Sequence, residues 1–306
     1  MVGSVLAAAL GDAMAHPLEA TVRSDADRGR DAPRLPPSTD VTRLTEAVLA
    51  ALVEGQADDM DVVMRALGRR LVEWSKAPLD PHSAHAQACL AACRRLDAGV
   101  PWHQAGGPSH DDGSVLRAHP FGLALADDTF MAEAWAVEHS RVTHSHPIAL
   151  AACAAMAVGT ALAVHGRSPD DVARSMREAA ARHDQATAAL IARAWEDARG
   201  GVRPEHALPS YTGDSADGAG DSAAGAVAAA LYIFTRHPDD PRAAILEGAH
   251  TPGATAALAS MAGALTGARA GLGQLPVEWI RDLDRADALQ ALARQLVQFS
   301  AGSFRN

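Results

Sequence analysis

Residues 140–157 read SRVTHSHPIALAACAAMA, which sets a hydroxyl and two imidazoles, Thr143, His144 and His146, just ahead of Pro147 and an apolar, Ala-rich run. Proline suits the first turn of a helix, where its missing N–H costs nothing, so a helix is predicted over 145–165. Histidine works as acid or base near neutral pH. His144 and His146 therefore read either as lining a binding cleft or as hydrogen-bonding the free amides of a helix start. A second concentration of chemistry is HDDGSVLRAHP at 110–120, which strings Asp111, Asp112, Arg117 and His119 along a Gly-containing loop. Asp12 stands on the otherwise apolar GSVLAAALGDAMAHPLEA, where an unpartnered charge is costly, so a buried partner is expected, with a structural ion pair as the plain reading. Arg117 is readable as a buried structural arginine paired with Asp12 or Asp112. Glu19, after Pro17 at the exit of that helix, reads by itself as a solvated carboxylate.

The elements that must hold these residues are helices. In DVTRLTEAVLAALVEG (40–55), Val41, Leu44, Val48 and Leu52 recur at three and four residues, with Ser38 or Thr39 available as N-cap. The same period predicts helices over 58–76, 82–98, 128–139, 169–182, 185–198, 221–236, 254–271 and 285–299, and strand signals are nearly absent. The runs 145–165 and 254–271 are built from Ala, Gly, Leu, Val and Met with almost no charge, so both are expected to be buried and to let neighbours approach closely. No fixed-period repeat is present. The prediction is an all-α, orthogonal multi-helix bundle forming a single domain over 1–306. Breaks fall at 23–37, 99–113 and 200–220, the last read as a lid or as plain flexible chain.

Composition excludes several partners. With 27 basic against 37 acidic residues and a formal charge of -10, the chain lacks the clustered Lys and Arg that phosphate neutralisation needs, so no nucleic acid is expected. Cys89 and Cys93 lie four apart on a predicted helix and read, with Cys153, as buried core thiols rather than a metal or redox site. The N-terminal apolar run lacks a basic flank and is interrupted by Asp12, which argues against a secretory signal. No apolar run is read as reaching the roughly 18 residues of a membrane-spanning helix, so a soluble cytoplasmic protein with no membrane partner is expected.

Five segments, in order, resemble the ADP-ribosylglycohydrolases. GSVLAAALGDAMAHPLEA (3–20) is similar to their opening helix, with its Gly-Asp-Ala step followed by Pro and Glu. STDVTRLTEAVLAAL (38–52) falls where they carry Thr-Asp-Asp-Thr. DGSVLRAHPFGLAL (112–125) resembles their Asn-Gly-small-x-Met-Arg loop, SRVTHSHPIALAACAAMA their Thr-His-x-His-Pro helix start, and AHTPGATAALASMAGALTGARAGLGQLPVEWIRDL (249–283) their C-terminal signature. The resemblance implies an all-α fold and hydrolysis of an N- or O-glycosidic bond of ADP-ribose, assisted by two magnesium ions. Its metal ligands come from the Thr-Asp-Asp segment and from an Asp-x-Asp-Thr segment near the C-terminus.

Here Thr39 and Asp40 match as residual metal-site positions, but Val41 takes the second carboxylate position. Gly253 and Thr255 match in the C-terminal segment, while Ala254, Ala256 and Ala257 stand where its carboxylates and last hydroxyl belong. Two hard cations need several oxygen ligands, so no dinuclear centre and no cofactor is expected. Asp40 then reads as a helix cap. By the same resemblance the candidate catalytic residues are Asp112, Glu19, His144 and His146. The substrate-binding candidates are Asp111, Gly113, Ser114, Arg117, His119, Thr143, Gly253 and Thr255, and Ser222 and Tyr232 fall near the expected adenosine contacts. Three readings follow: a metal-independent enzyme acting on a glycosidic or related bond of an ADP-ribose-like, nucleotide or nucleoside substrate; a pseudoenzyme binding such a ligand or an ADP-ribosylated protein; and a magnesium-dependent hydrolase with substituted ligands such as Asp111 or Asp112.

Overall fold

A computed structural model describes residues 1–19, 35–37, 39–77, 86–212, 222–251 and 255–302, without the side chains at 16–19, 86 and 298–302. The helices in chain order are α1 (Val2–Glu19), α2 (Asp40–Glu54), α3 (Met60–Ser75), α4 (Ala86–Asp97), α5 (Trp102–Ala105), α6 (His119–Ala124), α7 (Thr129–Arg141), α8 (Pro147–Val164) and α9 (Pro169–Ala181). They continue as α10 (Gln185–Arg199), α11 (Pro204–Ala207), α12 (Pro209–Thr212), α13 (Ala223–Arg236), α14 (Pro241–Ala249), α15 (Thr255–Ala270), α16 (Val277–Asp282) and α17 (Ala286–Gly302). A 3-10 turn at Val115–Arg117 precedes α6. Among the described residues β-structure is confined to two isolated bridges, Gly107 with His144 and Asp111 with Ser222. The chain is thus the all-α bundle that its periodicity predicts. Each long predicted helix forms within a few residues of its expected ends. The short α5, α6, α11, α12, α14 and α16 were not legible, because four to nine residues give too little of a 3.6-residue period.

Small residues bring the central helices close. A Cβ added to Gly3 would lie 2.6 Å from the Gly267 carbonyl oxygen, one on Gly263 2.5 Å from that of Ala7, and one on Gly11 2.3 Å from that of Ala259. Numbers rise along α1 as they fall along α15, so the two helices run antiparallel at nearly backbone contact. This register puts Asp12, near the end of α1, level with the first turns of α15. On the other side of α15, a Cβ on Gly248 of α14 would meet the Ala259 backbone at 2.7 Å.

The apolar α8 is the other axis of the core. Its eighteen residues are long and apolar enough by length and composition to cross a membrane, contrary to the sequence reading, but 78% of the run is buried among neighbouring helices. α6, α7, α9 and α13 pack against it. Its start is fixed by His146, the N-cap, whose Nδ1 accepts the Ile148 N–H at 3.3 Å. One end of the bundle therefore collects the starts of α2, α8, α13 and α15 around the 3-10 turn at 115–117, against which α2, α8 and α15 pack.

A Gly→Ala change inside a helix ordinarily gains up to about 1 kcal/mol in propensity. At Gly11 the methyl has no room, so Gly11→Ala is expected to destabilise by about 1–3 kcal/mol through overpacking, read as a lower urea midpoint at unchanged slope.

Candidate functional site

Asp12 is fully buried, and its partners are not cations. Its Oδ2 accepts the Thr42 N–H at 3.1 Å, the Thr42 hydroxyl at 2.6 Å and the Thr39 N–H at 3.1 Å, while Oδ1 accepts the Thr39 hydroxyl. The expected ion pair is thus replaced by a carboxylate from α1 capping the first turn of α2, where free amides and the positive end of the helix dipole favour an anion. Burial pushes the Asp12 pKa up, against the pull of these donors. Thr39 is the N-cap, its Oγ1 accepting the Val41 N–H at 3.2 Å. Asp40, expected to cap, is the first helical residue instead; it is buried and its Oδ1 accepts the Trp74 indole N–H at 3.0 Å.

The loop ahead of α6 folds onto the start of α8. The Gly107 N–H donates to the Thr143 carbonyl at 3.0 Å, the Ser145 N–H to the Gly107 carbonyl at 2.7 Å, and the Ala223 N–H, at the start of α13, to the His110 carbonyl at 2.9 Å. This holds Asp111 where His144 Nε2 meets its Oδ1 at 2.7 Å. Asp111 also accepts the Gly113 N–H at 2.9 Å and the Ser109 hydroxyl at 2.6 Å. Burial raises its pKa, but the hydrogen bond from His144, with those from Ser109 and Gly113, outweighs it and holds the carboxyl down to about 2. The Asp111 side chain remains 23% exposed, whereas His144 is fully buried. Behind His144, Thr143 Oγ1 lies 2.7 Å from its Nδ1 and accepts from Arg117 Nη2 at 2.6 Å. Arg117 further donates Nε to His139 Nε2 at 3.0 Å and Nη1 to the Cys89 sulfur at 3.3 Å.

The sequence-derived candidates therefore separate into a face and its backing. Asp111 reaches solvent, with the exposed His110 and the half-buried His146 in edge contact at 5.4 Å beside it. Asp112, expected to be catalytic, is fully buried; the carboxylate that reaches solvent is its neighbour. Ser114, Arg117 and Thr143, expected to touch substrate, are fully buried and support the loop from behind, Ser114 accepting from the Ser140 hydroxyl at 3.1 Å and the Cys153 thiol at 3.4 Å. Gly113 is buried as well and serves Asp111 through its amide. Arg117 pairs with neither Asp12 nor Asp112 by any of these bonds. His119 is enclosed in the core, and burial drives its pKa down to about 3 against the opposing pull of the Leu116 backbone. Thr255, at the start of α15, is buried with its hydroxyl unpartnered.

Ser222 reaches the site through its bridge to Asp111, while Tyr232 is buried and donates its hydroxyl to the Val202 carbonyl. The Glu19 side chain, Ser38, Gly253, Ala254 and the 213–220 part of the supposed lid lie outside the described residues. Ser109, Trp74 and His139 were missed. Only Ser109, two residues from Asp111, carried a local signal, since the other two come from distant helices.

The described residues at the positions that the resemblance marks for magnesium do not fit a dinuclear site. Asp12 already accepts four hydrogen bonds, Asp40 accepts from Trp74, and Val41 and Ala256 are buried apolar side chains. Among the described residues no three or more His, Cys, Asp or Glu side chains are placed to share a metal ion.

The sequence model of the ADP-ribosylglycohydrolases matches residues 1–305. A protein of Archaeoglobus fulgidus, itself described as uncharacterized, is 24% identical over 260 residues, which cover 85% of this chain and 80% of that one. A solved structure described as an ADP-ribosylglycohydrolase-related protein complex shares the fold, with a TM-score of 0.73 at 24% identity over 98% of this chain and 97% of its own.

Replacing Asp12 with Ala strands buried amides at the start of α2, and each buried donor left unmade costs about 1–3 kcal/mol; chemical denaturation is expected to show a loss of at least that size. Asp111 has the opposite linkage from a group with a raised pKa. Because its folded pKa, about 2, lies below the unfolded value, its contribution is full above about pH 4 and is lost as pH falls towards about 2. Asp111→Asn is expected to cost about 2 kcal/mol at pH 7 and little at pH 2 by the same linkage, measured as the gap between the two urea midpoints.

Proposed function

Given that the chain belongs to the ADP-ribosylglycohydrolase family, we propose that it cleaves a glycosidic bond of an ADP-ribose-like, nucleotide or nucleoside substrate without a dinuclear metal centre. The observation that carries this reading is Asp111, a solvent-reaching carboxylate held ionised by a buried imidazole. When the bond at the anomeric carbon breaks, its electron pair leaves with the departing group and positive charge spreads over the ring oxygen and carbon. A fixed carboxylate stabilises that charge, as in glycosidases that use no metal. Water then adds to the anomeric carbon, one of its protons passing to a base, while a proton delivered to the leaving group completes the balance. His146, whose Nε2 is left free by its capping Nδ1, and Glu19 are the groups proposed to move these protons.

A second reading, ligand binding without turnover, is favoured by the full burial of Asp112 and His144. In either case the partner is a small nucleotide-like ligand or an ADP-ribosylated protein, and the setting is the cytoplasm. Thr39 and Asp40 then serve the helix start rather than an ion.

Calorimetric titration of metal-stripped protein with ADP-ribose in EDTA, repeated with excess magnesium, separates the readings. Binding in EDTA that magnesium leaves unchanged is expected, together with turnover of N-ribosides that Asp111→Asn lowers about 10²-fold. Binding without any turnover would leave the ligand-binding reading, and binding only with magnesium would overturn the metal-independent one.

A further inference from the structure

Arg117 is fully buried, and its three hydrogen bonds go to His139, Cys89 and Thr143, none of them a carboxylate. A buried cation without a counter-charge is severely unfavourable. The bonds themselves show where compensation lies. Arg117 Nη2 donates to Thr143 Oγ1, and the Asp111 carboxylate, which can only accept, requires the proton of His144 Nε2. In the neutral imidazole, His144 Nδ1 then accepts the Thr143 hydroxyl hydrogen at 2.7 Å, while the ring proton on Nε2 points at Asp111 Oδ1, also at 2.7 Å. His139 is oriented in the same sense: Nδ1–H donates to the Ala136 carbonyl at 3.3 Å and Nε2 accepts from Arg117.

We infer that Arg117 and Thr143 are positioning residues, which couple a buried positive charge through His144 to the solvent-reaching carboxylate of Asp111. Every donor in the chain points the same way, so hydrogen bonds polarise one another from the core outward. Asp111 forms the negative end of the chain of hydrogen bonds that begins at Arg117, and that chain keeps Asp111 from taking up a proton. The relevance to bond cleavage rests on the function proposed above; the coupling itself does not. Among the described residues, the other titratable groups around Asp111 are His110 and Asp112 on its own loop, His146 against His110, and Cys89 beside Arg117, while the start of α13 contributes Ser222.

The test needs neither ligand nor turnover. Nitrogen-15 NMR of the wild-type protein is expected to show His144 in a single Nε2–H tautomer with Nδ1 as acceptor; a protonated Nδ1 in the neutral ring would overturn the inference without any variant. Carbon-13 NMR of the Asp111 carboxyl is then followed against pH in Arg117→Gln, Thr143→Val and Thr143→Ser. The protonation midpoint is expected to rise by about one unit in whichever of the first two folds, a size ordinary for losing a partner charge or hydrogen bond, and to stay at the wild-type position in Thr143→Ser. Unchanged midpoints in both Arg117→Gln and Thr143→Val would also overturn it. Failure of this coupling with ADP-ribose binding intact, or the reverse, tells the two proposals apart.

Discussion

The carboxylate of Asp12 lies out of water between two helices, and what it accepts there decides how the rest of the site is arranged. Its four hydrogen bonds tie the end of α1 to the first turn of α2. α1 is in turn pressed against α15 by Gly3, Gly11, Gly263 and Gly267, where no side chain separates the backbones. Fixing one carboxylate therefore fixes the relative height of three helix ends. The 3-10 turn that carries Arg117 then packs against two of them, α2 and α15, together with α8. The same four bonds leave Asp12 with little lone-pair capacity for anything else.

A division of labour follows from burial. Asp111, His110 and His146 reach solvent, and two of them are oriented by something behind them. His146 has one ring nitrogen occupied by the helix it starts, and Asp111 is held by an imidazole, a hydroxyl and an amide. The buried layer of Arg117, His139, Thr143, Cys89 and Ser114 is polar, yet nearly every group in it has a partner within hydrogen-bond reach. Such a layer is rigid because any change of orientation breaks more than one bond. A carboxylate mounted on it keeps its direction.

The long helices and the Thr-His-x-His-Pro start were legible in the sequence because hydrophobic period and proline placement act locally. So was the loss of oxygen ligands at Val41 and Ala256, since no packing can restore a missing carboxylate. Which aspartate of the 111–112 pair faces outward was not legible: adjacent residues differ only in how the loop is pinned by Gly107, His110 and Ser222. Asp12 needed a buried partner on simple grounds of charge, but the sequence favours a cation, and the amides of a helix start carry no letter of their own. Arg117 ended beside neutral acceptors for a related reason. Its compensation runs through Thr143 and His144, and a relay of that kind becomes visible only when three segments meet.

The pairing of α1 with α15 also has a bearing on the order of assembly. Residue 3 meets residue 267, so this close interface joins segments separated by most of the chain. During synthesis α1 emerges well before α15 and must wait, apolar face uncovered, until its partner has left the ribosome. Contacts of such sequence separation form late and slow folding. The small residues that let these helices touch give α1 little apolar bulk to bind elsewhere in the meantime.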